Sequence, residues 1–181
     1  MDEALRSYLA ELQTWGARTN LVGSTELADL QVHLDDALAA APNLPSGGRI
    51  VDLGSGAGLP GIPLAIARPD VALTLVEIRE RRVNFLRHVV RTLALPNCTI
   101  ERVRIEEPPD TLFSIALLRA VAPPSEAVPR ARPWVSDDGE VWIWTRETDL
   151  PWAISAKIPL GARGAILRIR AESVARGTHS R

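Results

Sequence analysis

The most constraining feature of the sequence is a glycine-rich segment between two short hydrophobic runs, VDLGSGAGLPGIPLAIARPDVALTLVE, at residues 51–77. An acid stands at the end of each run, Asp52 in the first and Glu77 in the second. The run RIVDL predicts a buried strand, the glycines predict a tight loop, and GLPGIPLAIARP carries prolines only where a first helical turn tolerates them. Strand, loop, helix and strand in this order are the repeating unit of a parallel α/β sheet.

The rest of the chain continues this alternation. Apolar residues at three- and four-residue steps predict helices over residues 2–17, from Ser24 or Thr25 as a cap to near Pro42, and over residues 79–94. Further strands are predicted at CTIER with the segment around Arg104, at residues 113–118 and at residues 140–145, followed by an antiparallel pair, WAISAKI and AILRI. We therefore predict an α/β fold: a Rossmann-like, mostly parallel seven-stranded sheet with an antiparallel C-terminal pair and N-terminal helices.

A chain of 181 residues is expected to form one domain over residues 1–181. We divide it into N-terminal helices at 1–44, the Rossmann-like core at 45–171 and a frayed tail at 172–181. No apolar run approaches the ~20 residues of a membrane span, and the acidic, amphipathic start lacks the pattern of a secretory signal, so we expect a cytoplasmic protein. Cys98 is the single cysteine, and the three histidines are scattered at 33, 88 and 179, which argues against a structural metal.

The charges balance almost completely, with 21 Lys and Arg against 22 Asp and Glu and a net charge of −1. Such a chain has no global electrostatic attraction to nucleic acid. Lys157 is the single lysine, and ten arginines lie between Arg79 and Arg132. Substitution of lysine by arginine in a high-GC genome is the favoured explanation, although arginine is also the better partner for phosphates and base edges.

The spacing of the glycine loop indicates its ligand. A dinucleotide site prefers GxGxxG, whereas this loop is DxGxGxGxPG, with Asp52 two residues before the first glycine. An acid and tightly spaced glycines suit a ligand with a cationic amino acid end and no pyrophosphate, and S-adenosylmethionine is such a ligand. Glu77 is placed to accept both ribose hydroxyls. The predicted loop contacts are Asp52, Gly54, Ser55, Gly56 and Gly58.

Beyond these residues, GSGAGLPGIPLAI resembles the bacterial RsmG/GidB family (glucose-inhibited division protein B). Further matches follow in order: Trp15 with Asn20-Leu21, His33 and Asp36 in HLDDALAAAPNL, RERRVNFLRHV after Glu77, Arg104 to Glu107, and Arg119-Ala120. The resemblance spans roughly residues 12–170. It implies the fold of class I S-adenosylmethionine-dependent methyltransferases and methyl transfer to N7 of a guanine in 16S rRNA.

Residue by residue, the resemblance implies that Gly54 and Leu59 line the methyl donor and that Glu77 holds its ribose. It also implies that Ile105 and Glu106 flank the adenine and that Arg119 reaches into the active site. Where the family usually carries a lysine, this chain has Thr145-Arg146, so Arg146 is the expected substitute. The N-terminal segment is shorter than usual, so we expect part of an RNA-contacting helix to be absent.

Guanine N7 has a free lone pair, so the reaction needs orientation and no general base, in keeping with the absence of an obvious nucleophile–base pair around Cys98. The catalytic candidates are Arg119, Arg104 and Arg146, of which Arg104 and Arg119 would hold the guanine through O6 or a flanking phosphate. The alternative for both is a surface salt bridge. His33 is expected to be a structural histidine, with capping of the pocket as the alternative. Trp142 and Trp144 share one strand face and are expected in the core rather than as a stacking platform.

The arginines Arg79, Arg81, Arg82, Arg87 and Arg91 form either a phosphate-contacting face or a merely solvated one. Other functions stay open: a small-molecule or protein methyltransferase of the same fold, a non-catalytic ribosome-assembly factor, or an NAD-dependent oxidoreductase, which the glycine spacing disfavours. The expected partner is 16S rRNA within a small-subunit particle, bound by a monomer without a metal or a membrane.

Overall fold

A computed structural model describes residues 2–19 and 21–175 of the chain. It contains five α-helices: α1 Glu3–Thr19, α2 Leu27–Leu38, α3 Gly61–Ala67, α4 Glu80–Thr92 and α5 Pro124–Ala131. The strands are β1 Arg49–Leu53, β2 Ala72–Val76, β3 Cys98–Glu101, β4 Phe113–Arg119, β5 Val135–Thr145, β6 Ile154–Pro159 and β7 Ala165–Arg170. Short 3-10 turns complete the connections.

The seven strands form one sheet in the order β3-β2-β1-β4-β5-β7-β6. The strands β1 to β5 pair in parallel, whereas β7 lies antiparallel between β5 and β6. This arrangement confirms the predicted fold class. The strand order reverses between β1 and β4, and the carboxyl ends of those strands are where open α/β sheets bind ligands.

Both faces of the sheet are covered, because alternate residues of each strand point to opposite sides. Ile50 of β1 packs with the helices α1 to α4, while Val51 and Leu53 pack with α5 on the other side. Asp52 shares the face of Ile50 and therefore points into the layer of α1 and α3. This alternation decides the environment of that acid.

Three local features differ from the sequence-based expectation. The proline-rich connection after β4 contains a helix, α5, which has Pro124 in its first turn and Pro129 inside. The strand β5 begins at Val135, five residues before the predicted start, with a register shift against β4. Glu26 rather than Ser24 or Thr25 is the cap residue of α2, and the Ser24 hydroxyl accepts from the Glu26 amide at 3.2 Å.

The predicted tail is ordered in its first part. Residues Ala171–Ser173 form a 3-10 turn, and Val174 is only 3% exposed because it packs into the core beneath α5. The prediction of a frayed tail is therefore wrong for residues 172–175. The remainder of that tail, with His179, lies outside the described residues, as does Asn20.

Candidate active site

The loop after β1 folds tightly over the carboxyl ends of β1 and β2. The amide of Ser55 donates to the carbonyl of Val76 at 2.9 Å. Gly54 and Gly56 have φ values of +71° and +57°, which residues with a Cβ rarely adopt. A Cβ on Gly54 would lie 3.1 Å from the Val121 side chain, so Val121 packs closely against the bare backbone at this position.

Glu77 follows β2 and is only 5% exposed. One carboxylate oxygen accepts a hydrogen bond from the Gly56 amide at 3.1 Å, and the other accepts one from the Arg79 amide at 2.8 Å. The Arg82 guanidinium lies 3.5 Å away. A carboxylate has about four acceptor positions, so this anchored group retains capacity for two further hydroxyl donors.

Two of the predicted loop contacts lie behind the loop. The Asp52 carboxylate is 1% exposed and accepts the Gly61 amide at 3.1 Å, at the start of α3. Burial raises the pKa of Asp52 from 3.8 to about 7. Gly58 likewise faces α3, since its carbonyl accepts the Ile62 amide at 2.7 Å. Both residues support the loop and do not line the cavities in front of it.

Three adjoining cavities run along the ends of the strands. The first, about 140 Å³, is lined by Gly54, Val76, Glu77, Ile78, Val103, Arg104, Ile105 and Glu106. The second, about 240 Å³, is lined by Leu21, Val22, Gly23, His33, Gly54, Ser55, Gly56, Ala57, Leu59, Arg82, Arg119 and Ala120. The third, about 320 Å³, is lined by Val32, His33, Asp36, Arg119, Ala120, Trp144, Thr145, Arg146, Leu160 and Arg163. Neighbouring cavities share lining residues. Gly54 lines the first and the second cavity, and His33, Arg119 and Ala120 line the second and the third.

Arg119 ends β4 and lies at the second of these junctions. Its two terminal nitrogens donate to the carbonyl of His33 at 3.0 Å and to Nδ1 of the same residue at 2.8 Å. The nearer carboxylate oxygen of Asp36 is 3.9 Å away. Burial lowers the pKa of the Arg119 guanidinium, although an arginine stays charged in proteins. A cation is therefore fixed where two cavities meet.

The third cavity contains residues from α2, β5 and the turn between β6 and β7. The Asp36 carboxylate accepts from the Arg163 guanidinium at 2.7 Å, and its backbone carbonyl accepts from the Trp144 indole at 2.9 Å. Arg146 follows β5 in the same wall. Sequence reasoning missed Arg163, because a turn residue in the last hairpin has no spacing that relates it to α2.

Not every predicted residue comes to one place. Arg104 is exposed and lines the first cavity, on the far side of Gly54 from Arg119. The two arginines therefore do not surround a common ligand atom. Trp142 is fully buried, whereas Trp144 is partly buried, packs against the core and also lines the third cavity, so the core prediction is confirmed for Trp142 and holds in part for Trp144. Arg82 lies against Glu77, while the other arginines of the predicted cluster, Arg79, Arg81, Arg87 and Arg91, are exposed.

Tyr8 is a second residue that sequence reasoning missed. It is fully buried on α1, and its hydroxyl donates to the Ala57 carbonyl in the glycine loop at 2.7 Å. The available signal was a polar hydroxyl in the apolar stripe of α1, because a buried tyrosine usually needs a hydrogen-bond partner. Helix α1 thus braces the loop from behind.

Cys98 is buried at the start of β3, and burial raises the pKa of its thiol to about 12. A thiol in that state is a poor nucleophile. Among residues 2–19 and 21–175, no group of three or more His, Cys, Asp or Glu side chains is arranged to hold a metal ion. No helix in the described part of the chain is long and apolar enough to cross a membrane.

Residues 1–149 match the family model of GidB, rRNA small subunit methyltransferase G. Curated relatives carry the name ribosomal RNA small subunit methyltransferase G. The relative from Desulfotalea psychrophila is 46% identical over 114 residues, which cover 62% of this chain and 52% of the relative. The relative from Chromobacterium violaceum is 40% identical over 140 residues, covering 76% and 67%. The match therefore spans about half to two thirds of these relatives' length.

Solved structures share the fold at low sequence identity. The mitomycin 7-O-methyltransferase MmcR aligns with a TM-score of 0.62 at 16% identity, over 92% of this chain and 67% of that protein. The putative methyltransferase yhhF from Escherichia coli aligns with a TM-score of 0.57 at 17% identity, over 79% of this chain and 85% of that protein.

Proposed function

The chain belongs to the family of rRNA small subunit methyltransferase G, and from this premise we propose that it transfers a methyl group from S-adenosylmethionine to N7 of a guanine in 16S rRNA. The partner is a small-subunit particle, and the chain acts in the cytoplasm as a monomer. The single observation that carries the proposal is the junction at His33, Arg119 and Ala120, which line two adjoining cavities. In this proposal the donor binds on one side of the junction and the guanine on the other.

The residues of the donor side fit S-adenosylmethionine. Gly54 lines both of the first two cavities, so a ligand that fills them would pass its backbone, and the anchored Glu77 carboxylate can accept hydrogen bonds from two ribose hydroxyls. Ile105 and Ile78 offer apolar walls to an adenine in the first cavity. Ser55, Gly56 and Leu59 line the second cavity, where the methionine end would lie.

When bound, S-adenosylmethionine supplies an electrophilic methyl group on a positively charged sulfur. The chain's task is to hold guanine N7 in line with that methyl group, because orientation supplies most of the rate gain in such a displacement. Arg119 donates hydrogen bonds and has no accessible neutral form, so it orients the base through O6 or a phosphate and takes no proton. Guanine N7 needs no base, and the buried Cys98 provides none.

The acceptor side suits a flipped or looped guanine. A-form RNA hides the N7 edge, so the base must leave its helix before it can react. Trp144 offers an aromatic wall, while Arg146 and Arg163 offer guanidinium groups for the flanking phosphates. In this proposal Arg146 takes the place of the lysine that the family usually carries, and Arg104 stays with the donor.

The test is transfer of radiolabelled methyl from S-adenosylmethionine to 30S subunits that lack N7-methylguanine, beside naked 16S rRNA and a reaction without RNA. Label recovered as N7-methylguanosine supports the proposal. Donor binding without transfer to either RNA would overturn it and favour a small-molecule substrate.

Two variants separate the two sides of the cleft. We expect Arg119→Ala to lower turnover about 100-fold with little change in the affinity for S-adenosylmethionine, because the guanine that accepts the methyl group loses its orienting cation. Glu77→Ala should instead weaken donor binding measured by calorimetry. Arg130→Ala is the matched control, since Arg130 lies exposed on α5 and pairs with Glu126 of the same helix at 3.5 Å. Equal turnover in Arg119→Ala would remove that residue from the site.

A further inference from the structure

His33 occupies the point where the donor and acceptor cavities meet. It lines both cavities together with Arg119 and Ala120, and its side chain comes from α2 rather than from the sheet. The sequence-based expectation for this residue is a structural histidine. Its position in the structure is the place where the methyl group would pass from donor to acceptor.

The hydrogen bonds of His33 define its protonation state. The Arg119 guanidinium has donors only, so the 2.8 Å contact requires Nδ1 of His33 to be the acceptor. An imidazole that accepts at Nδ1 carries its proton on Nε2 and is neutral. The His33 carbonyl accepts a hydrogen bond from the other terminal nitrogen of Arg119 at 3.0 Å, so one residue holds both terminal nitrogens of the guanidinium.

We propose that His33 is a positioning residue whose neutral imidazole holds Arg119 at the junction, so that methyl transfer declines when His33 becomes protonated. This inference rests on the proposed function. Protonation would remove the acceptor at Nδ1 and set an imidazolium against the guanidinium. It would also add a positive charge where the charge of the sulfonium must pass to guanine N7.

The surrounding charges act on His33 from several elements. Burial, and after it Arg119 of β4, lowers the pKa of His33, whereas Asp36 and Asp29 of α2 raise it, and the net direction is downward. Arg82 of α4, Arg146 after β5 and Arg163 of the β6–β7 turn line the same two cavities. Asp36 is engaged by Arg163 at 2.7 Å, which limits its capacity to stabilise an imidazolium.

The first experiment tests the contact between His33 and Arg119 without measuring catalysis. Long-range ¹H–¹⁵N NMR of the imidazole rings should show His33 as the Nε2–H tautomer, with a pKa below the ordinary 6.5. Arg119→Gln should raise that pKa, because a guanidinium is lost. His88 of α4, which pairs with Glu11 at 2.9 Å and lines neither cavity, is the internal control, and its ring signals should be the same in Arg119→Gln as in the wild type. The Nδ1–H tautomer, or an unchanged pKa in Arg119→Gln, would overturn the inference.

The second experiment compares pH profiles of turnover. In the wild type we expect turnover to decline about tenfold per pH unit below the pKa of His33. His33→Asn places an amide oxygen at the position of Nδ1 and cannot gain a proton there, so its profile should lack this acid limb. His33→Phe keeps a ring but no acceptor, so its turnover should lie about 10- to 100-fold below the wild-type plateau and should lack this acid limb, with donor affinity retained.

Asp52 needs its own control, because its pKa of about 7 could also shape the profile. Asp52→Asn should keep the acid limb of the wild type. If the acid limb persists in His33→Asn and disappears in Asp52→Asn, the decline in turnover comes from Asp52 behind the glycine loop, and the inference is overturned. An enzyme that methylates no RNA, yet shows the neutral His33 and its response to Arg119, would instead refute the proposed function alone.

Discussion

Asp52 is a carboxyl group that the fold buries almost completely. Burial raises the pKa of its carboxyl group to about 7, because it outweighs the hydrogen bonds from the Gly61 amide and from Ser55, which favour the ionised form. The folded protein thus holds a proton that an unfolded chain releases near its ordinary pKa of 3.8. Folding and proton binding are coupled at this residue.

We predict that this residue makes the protein less stable as the pH rises. Between about pH 4 and about pH 7 the folded state binds the extra proton, so the free energy of unfolding declines by on the order of 4 kcal/mol from this group and then levels off. Asp52→Asn keeps an oxygen for the Gly61 amide and cannot ionise. Urea unfolding at about pH 5 and about pH 8 should therefore show a smaller pH dependence in the variant, and parallel profiles would contradict the assignment.

At the scale of elements, α1 acts on the site without lining any of its cavities. It packs against the glycine loop from behind, and Tyr8 makes the contact through its bond to the Ala57 carbonyl. Burial raises the pKa of the Tyr8 phenol, so this group stays a neutral donor throughout the ordinary pH range. The helix thereby fixes the conformation of a loop that its glycines leave permissive.

We predict that Tyr8→Phe lowers the free energy of unfolding by about 1–3 kcal/mol, because the Ala57 carbonyl is left buried without this donor. Donor affinity should decline as well, since the loop loses its brace. Thr14→Ala is the matched control: Thr14 lies exposed on the same helix, and its hydroxyl bonds only within that helix, to the Ala10 carbonyl. Thermal unfolding and calorimetry of both variants make the comparison. An equal effect of the two substitutions would refute a specific role for the loop contact.

The sequence predicted some strands and helices more accurately than others. The strands β1, β2 and β4 followed from hydrophobic runs, because a strand buried on both faces must be apolar throughout. Helix α5 was missed because Pro123, Pro124 and Pro129 read as a loop. A proline in the first turn lacks an amide that would be unbonded anyway, and packing of Ala127 and Val128 against the sheet compensates for the interior proline.

At the scale of the whole molecule, the net charge of −1 gives no general attraction to RNA. The cations Arg146 and Arg163 lie together in the lining of the third cavity, which is the proposed guanine site. A substrate recognised by shape on a ribosomal particle fits this distribution better than long-range electrostatic capture.

We predict a weak salt dependence of binding to naked 16S rRNA. If Arg146 and Arg163 supply two phosphate contacts, affinity should decline roughly sevenfold between about 50 mM and about 200 mM salt. Filter binding across that range checks the value. Arg146→Gln should reduce the slope of log affinity against log salt concentration by the amount expected for about one phosphate contact. A decline of about a thousandfold would show instead that the exposed arginines of α4, such as Arg81 and Arg87, join the interface.

The sequence by itself determined the sheet, the glycine loop and the acid Glu77, because these depend on neighbours in the chain: strand hydrophobicity, bare backbone and the distance from one strand to the next. It also placed Arg119 at a strand end. Only the tertiary structure decided that Asp52 points into the helical layer, that Tyr8 braces the loop, and that His33 and Arg163 come from distant elements to hold Arg119 and Asp36. The physical reason is that these contacts join residues up to 127 positions apart, and hydrophobic period and motif spacing describe only local order.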